Sequence, residues 1–105
     1  MPTLGERPTL AELQCYVAEL EQERGFAEQT VRDKCLLLGE EVGELFKAIR
    51  HQEGLLVDEQ SSFGEIAHEL ADVLIYLCAI ANRFEIDLEQ AFREKEEINK
   101  QREWI

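Results

Sequence analysis

Apolar residues recur at steps of three and four in separate stretches of the chain, the spacing that lines one face of a helix with about 3.6 residues per turn. Leu10, Leu13, Val17 and Leu20 predict a helix over 10–24, opened by Thr9 as cap with Glu12 answering three residues on, and closed near Arg24-Gly25. Val31, Cys35, Leu38, Val42, Leu45 and Ile49 predict a second helix over 31–51, starting after Thr30. The third stretch differs in kind. From Leu70 to Ala81 every residue is apolar except Asp72, with Tyr76 the only other polar tip. A helix over 63–83, capped by Ser62 with Glu65 at the answering position, is therefore apolar nearly all round and expected to be buried on most sides. A fourth helix over 88–103 opens at "DLEQ", with Asp87 capping and Gln90 answering. Residues 52–62 sustain no period and read as a loop.

Four helical periods and no strand alternation predict an all-α fold, a single domain over 1–105. Composition agrees, because both prolines fall within the first eight residues and leave the rest of the chain free of helix breakers. A chain of 105 residues has little material with which to bury the third helix, so a homo-oligomeric helical bundle is expected. The longest apolar run, "LADVLIYLCAIA", is too short to cross a bilayer. Net charge is −12, which repels a nucleic-acid backbone and an anionic membrane alike; neither is an expected partner. An anionic ligand would need divalent metal as mediator. Cys15, Cys35 and Cys78 lack C-x-x-C spacing and sit among apolar residues, which suggests buried thiols in a reducing compartment. With no basic-then-apolar signal at the start, a cytoplasmic location is expected.

The candidate chemistry lies in two short acidic motifs, "EVGEL" at 41–45 and "ELADV" at 69–73. With Glu41 as zero, Glu44 lies about 60° to one side and the apolar stripe about 80° to the other. Glu69 and Asp72 stand at nearly the same angles to their own stripe. Antiparallel packing of the two helices would bring these four carboxylates together at the bundle edge, with Gly43 and Ala71 leaving room between them. Bare carboxylates at short range raise one another's pKa, and oxygen-only ligands favour hard cations, so Mg²⁺ or Mn²⁺ is the expected counterion. The bland alternative is two solvated acidic faces. Tyr76, one turn after Asp72, reads either as a site residue or as an interface tyrosine with its hydroxyl outward. Lys34, two turns before Glu41, reads as a phosphate contact or as a surface lysine. Glu65 and His68 form one E-x-x-H, and a di-iron centre would need a second copy of it from a partner chain. His51, ending the second helix, suits the negative end of its dipole.

E-x-x-E, a gap of 24 residues and E-x-x-D, set in "LLLGEEVGELFKAI" and "ELADVLIYLCAIANRFEIDLEQAF", resembles the MazG-like all-α nucleoside triphosphate pyrophosphohydrolases. The resemblance covers roughly residues 10–103. It implies a four-helix unit assembled as a homodimer or a dimer of dimers, and Mg²⁺-dependent hydrolysis of an NTP or dNTP to the monophosphate and pyrophosphate, an activity that would cleanse the nucleotide pool. It implies Glu41, Glu44, Glu69 and Asp72 as metal ligands, with Glu40 an outer neighbour at most. Glu41 or Glu44 is the expected base for the attacking water. "KEEINKQR" is similar to a C-terminal K-x-x-x-N-x-x-[KR] and implies Lys95, Asn99 and Arg102 as phosphate contacts; "RGF" implies Phe26 against the base. Two other functions fit the same residues: a noncatalytic oligomeric helical adaptor, and a phosphoribosyl-ATP pyrophosphohydrolase.

Overall fold

The computed structural model describes residues 1–55 and 63–103, and among them are four helices and no strand: α1 (Leu10–Arg24), α2 (Val31–Gln52), α3 (Ile66–Arg83) and α4 (Leu88–Lys100). α1 begins with the expected capping box, the Glu12 N–H donating to Thr9 Oγ1 at 3.1 Å and the Thr9 N–H to Glu12 Oε1 at 3.0 Å. Thr30 and Asp33 make the same reciprocal pair on α2. Gly25 ends α1 at φ 76°, a left-handed conformation that glycine adopts without steric cost.

Two helix boundaries and two caps differ from the pattern-based reading. α3 starts at Ile66 rather than 63, behind Glu65, whose side chain makes no capping hydrogen bond; the expected cap, Ser62, lies outside the described residues. α4 ends at Lys100 rather than 103, so Arg102 follows the helix instead of riding on it. Asp87 does cap α4, but Gln90 does not answer; its side chain bonds Glu94 at 2.9 Å, one turn further on.

α2 and α3 pack against each other most extensively, α1 lies against α3, and α4 packs chiefly on α1. The core is small: Val17 and Leu20 from α1 meet Cys78 and Ala79 from α3, with Leu13, Tyr16 and Leu88 around them. One polar residue on that face of α1 pins the start of α4. Gln14 donates to Ile86 O at 2.7 Å and to Asn82 Oδ1 at 3.1 Å, and accepts from Leu88 N at 3.0 Å. These bonds satisfy backbone groups of the α3–α4 turn that burial would otherwise leave costly.

A single chain does not bury α3 on most sides. Leu70, Leu74 and Leu77, spaced along one face, remain 53%, 39% and 42% exposed. The radius of gyration is 16.4 Å, against about 13 Å for a compact chain of this length. The thiols also differ from expectation. Only Cys78 is buried; Cys15 and Cys35 fall on outward faces of their helices. Among the described residues no helix is long and apolar enough to cross a membrane.

Candidate active site

Three cross-contacts establish the register of α2 on α3. His51 stacks on Phe63 just ahead of α3, Glu41 meets Glu69 and Asp72, and the Lys34 ammonium lies over the Tyr76 ring. Falling numbers on α2 match rising numbers on α3, so the helices run antiparallel. The two acidic shoulders therefore face one another, and Glu41, Glu69 and Asp72 each place a carboxylate oxygen within 4.8 Å of the others.

Glu41 is half-buried. Loss of water, then the charges of Asp72 and Glu69 and a hydrogen bond with Glu69, push its carboxyl above the ordinary value. Burial, followed by the charges of Glu41 and Asp72, likewise pushes the Tyr76 hydroxyl up. The Glu69 carboxylate lies against Gly64: a Cβ on residue 64 would collide with it. Oxygen donors converging with excess negative charge suit a hard divalent cation.

The remaining candidates distribute unevenly. Glu44, also half-buried, lies one turn along α2, outside the group of three. Glu40 is exposed, and its charge adds to the upward push on Glu41. Phe26, Lys34, Asp72 and Tyr76 come together, bordering a cavity of about 130 Å³ between α1, α2 and α3. Lys34 has neither the free ammonium of a phosphate contact nor the exposure of a surface lysine. It is 3% exposed, its Nζ sits 3.1 Å from Glu21 Oε2, and it lies over the rings of Phe26 and Tyr76 at 5.1 and 5.4 Å. Lys95, Asn99 and Arg102 do not border this cavity. Lys95 instead lines an apolar groove of about 520 Å³ with Leu74, Leu77, Ile86, Leu88 and Phe92. Asn99 donates to Glu96 at 2.9 Å, and its own side-chain oxygen is buried without a partner. His68 is turned to solvent beside Glu65, at 3.7 Å, outside the carboxylate cluster.

Two residues next to this cavity were missed in the sequence, Glu21 and Arg83. Both carboxylate oxygens of Glu21 accept from Arg83, at 2.9 and 2.8 Å. Burial pushes the Glu21 carboxyl upward, and the hydrogen bonds from Arg83 and Lys34 overcome this and hold it below its ordinary value. A signal for Glu21 was present: with Gln14, Val17 and Leu20 it occupies the inward stripe of α1, where a polar residue needs a partner.

A family model of the MazG nucleotide pyrophosphohydrolase domain matches residues 29–103. The chain belongs to this family. Among MazG relatives it is 35% identical over 100 residues to dCTP pyrophosphatase 1 of Mus musculus and 35% identical over 103 residues to that of Homo sapiens, each match covering 90% of the chain. It spans 59% of the length of these relatives. Two crystal structures of iMazG from Vibrio DAT 722 superpose on it with a TM-score of 0.69 at 35% identity, over 89% of this chain and 95% and 99% of theirs. The matched region contains α2, α3 and all three clustered carboxylates, so the acidic centre belongs to the part of the chain that makes it a MazG domain.

Proposed function

We propose that this MazG domain is a divalent-metal-dependent nucleoside triphosphate pyrophosphohydrolase, converting an NTP or dNTP to its monophosphate and pyrophosphate. The convergence of Glu41, Glu69 and Asp72 beside an aromatic-lined cavity carries the reading. These three, with Glu44 one turn away, would hold Mg²⁺ or Mn²⁺. Such a cation, when bound, neutralises triphosphate charge and acidifies water. Water oxygen bonds the α-phosphorus, the bond from that phosphorus to the α–β bridging oxygen breaks, and pyrophosphate leaves. Glu41 or Glu44 takes the water proton.

The cavity beside Asp72 receives the base and sugar. Phe26 and Tyr76 offer ring faces, and the family relatives named dCTP pyrophosphatase 1 make dCTP the first substrate to test. Lys95, Asn99 and Arg102 stand apart from this cavity within one chain. Their phosphate-binding role requires α4 of a second copy, or movement of the chain's own. The uncovered face of Leu70, Leu74 and Leu77 supports a homodimer or a dimer of dimers.

Pyrophosphate release from a panel of NTPs, dNTPs and phosphoribosyl-ATP, with Mg²⁺ or Mn²⁺, tests the reading alongside Glu41→Gln and Asp72→Asn. Metal-dependent release by the wild type, lost in both variants, is expected. Release from phosphoribosyl-ATP alone would assign the chain to that narrower reaction. No release from any nucleotide, by protein whose stability ignores millimolar metal, would refute the enzyme and leave the helical adaptor.

A further inference from the structure

Beside the carboxylate cluster lies a buried ionic junction that the hydrolytic chemistry does not use. Arg83, the last residue of α3, has its guanidinium fully engaged. Nη1 and Nη2 donate to the two oxygens of Glu21, Nη1 also to Ala79 O at 3.0 Å, Nη2 also to Phe26 O at 3.1 Å, and Nε to Gln29 O at 3.0 Å. Glu21 in turn binds Lys34 Nζ, and the two residues are only 5% and 3% exposed. One carboxylate on α1 thus ties together the end of α3, the start of α2 and the segment between α1 and α2.

Burying two cations and one anion is expensive, and apolar residues would fill the same space at lower cost. What they would not supply is direction. Arg83 presents its donors in a rigid planar fork, and that fork holds the first and last carbonyls of the Phe26–Gln29 turn. Phe26 belongs to this segment. Lys34, held by Glu21, lies over both Phe26 and Tyr76, so the junction also touches the two rings bordering the cavity. The metal-ligand candidates touch none of these bonds.

We propose that Arg83, acting with Glu21, is a positioning residue for the nucleotide base: it clamps the 25–29 segment so that Phe26 and Tyr76 hold a fixed gap across the cavity. The inference rests on the pyrophosphohydrolase reading. The clamp acts on substrate binding and base discrimination, and leaves the hydrolytic step alone.

Arg83→Lys separates the clamp from simple ion pairing. Lysine keeps the charge beside Glu21, but its compact ammonium cannot span both Glu21 oxygens and the two carbonyls. The experiment compares wild type and Arg83→Lys by steady-state kinetics on dCTP, dTTP and dATP with Mg²⁺, and by amide hydrogen exchange of residues 25–29 in nucleotide-free protein. Expected are a KM raised on the order of tenfold with kcat and the Mg²⁺ requirement unchanged, narrowed discrimination among bases, and faster exchange at 25–29. Faster exchange with wild-type KM for every nucleotide would overturn the clamp and leave a structural ion pair. So would a fall in kcat at constant KM, which places the effect at the carboxylates. Should Arg83→Lys fold poorly, Glu21→Gln supplies the same comparison, since it weakens the other end of the junction. Wild-type protein inactive on all three nucleotides and on the wider panel overturns both proposals; failure of the clamp alone shows only in the variants.

Discussion

Glycine at residue 64 is the sharpest point at which the geometry of the acidic centre can be tested. The Glu69 carboxylate occupies the space that a Cβ on residue 64 would fill, so Gly64→Ala must displace that carboxylate. The obstacle is the far end of a flexible side chain, and Gly64 is not among the positive-φ residues, so the fold itself bears little strain. Metal-free protein should keep its stability or gain about 0.4–1 kcal/mol through a stiffer unfolded chain. The response to metal should move the other way. A cation present at a hundred times its Kd stabilises the folded state by about 2.7 kcal/mol, and a tenfold loss of affinity leaves about 1.4 kcal/mol. For a domain of this size each kcal/mol is worth about 4–8 °C, so the metal-induced rise in Tm should fall from about 11–22 °C to about 6–11 °C. Thermal unfolding with EDTA and with a Mg²⁺ titration measures both quantities on one sample. An unchanged metal response would show that Glu69 does not need this space to serve the centre. A large loss of stability in EDTA would place the collision on the backbone instead.

Glu41→Gln removes the residue whose carboxyl is pushed up by burial and by Asp72 and Glu69. A raised folded-state value gives stability that is full below the ordinary carboxylate range and lost as pH rises through the raised value. In EDTA near neutral pH the variant should therefore melt above the wild type, and the gap should close on acidification; equal melting temperatures at neutral pH would refute the crowding. Glu21 carries the opposite sign, since its value is held down in the fold. Its contribution is present above the ordinary range and lost as pH falls through the lowered value, and Glu21→Gln should flatten that limb of a stability–pH curve. Gln14→Leu leaves the Ile86 carbonyl and the Leu88 amide without their partner; a loss of about 2–4 kcal/mol is expected in urea unfolding, and a loss below 1 kcal/mol would mean that water or a shifted α4 replaces it. Leu74→Lys puts a charge in the exposed α3 stripe; sedimentation equilibrium should show a smaller assembly than the wild type, whereas identical masses would move the interface elsewhere.

Elements were legible wherever one local rule sufficed. Thr9 and Glu12 close a capping box among neighbours in the chain, and the start of α1 followed from them. The start of α3 did not, because it opens behind Glu65 without a side-chain cap. The end of α4 was overextended because its charged last residues carry no stop signal. The burial of Lys34 is not legible in the sequence for a different reason. Its position on the acidic shoulder was correctly read, but the partner that draws it inward, Glu21, belongs to another helix.

By itself, the sequence determined the helices and the acidic shoulders, since both follow from angles around a single helix axis, and such angles depend only on residue spacing. It also carried the family, through motifs whose spacing survives in linear order. Only the tertiary structure decided which carboxylates meet. Glu41, Glu69 and Asp72 converge because α2 and α3 run antiparallel in one register, while Glu44, on the same motif, lies one turn along α2 from that group of three. The Glu21–Arg83–Lys34 junction belongs wholly to that level, for its members are far apart in the chain and meet only where three helices cross. Periodicity describes one helix at a time, and a buried charge finds its partner through packing between helices.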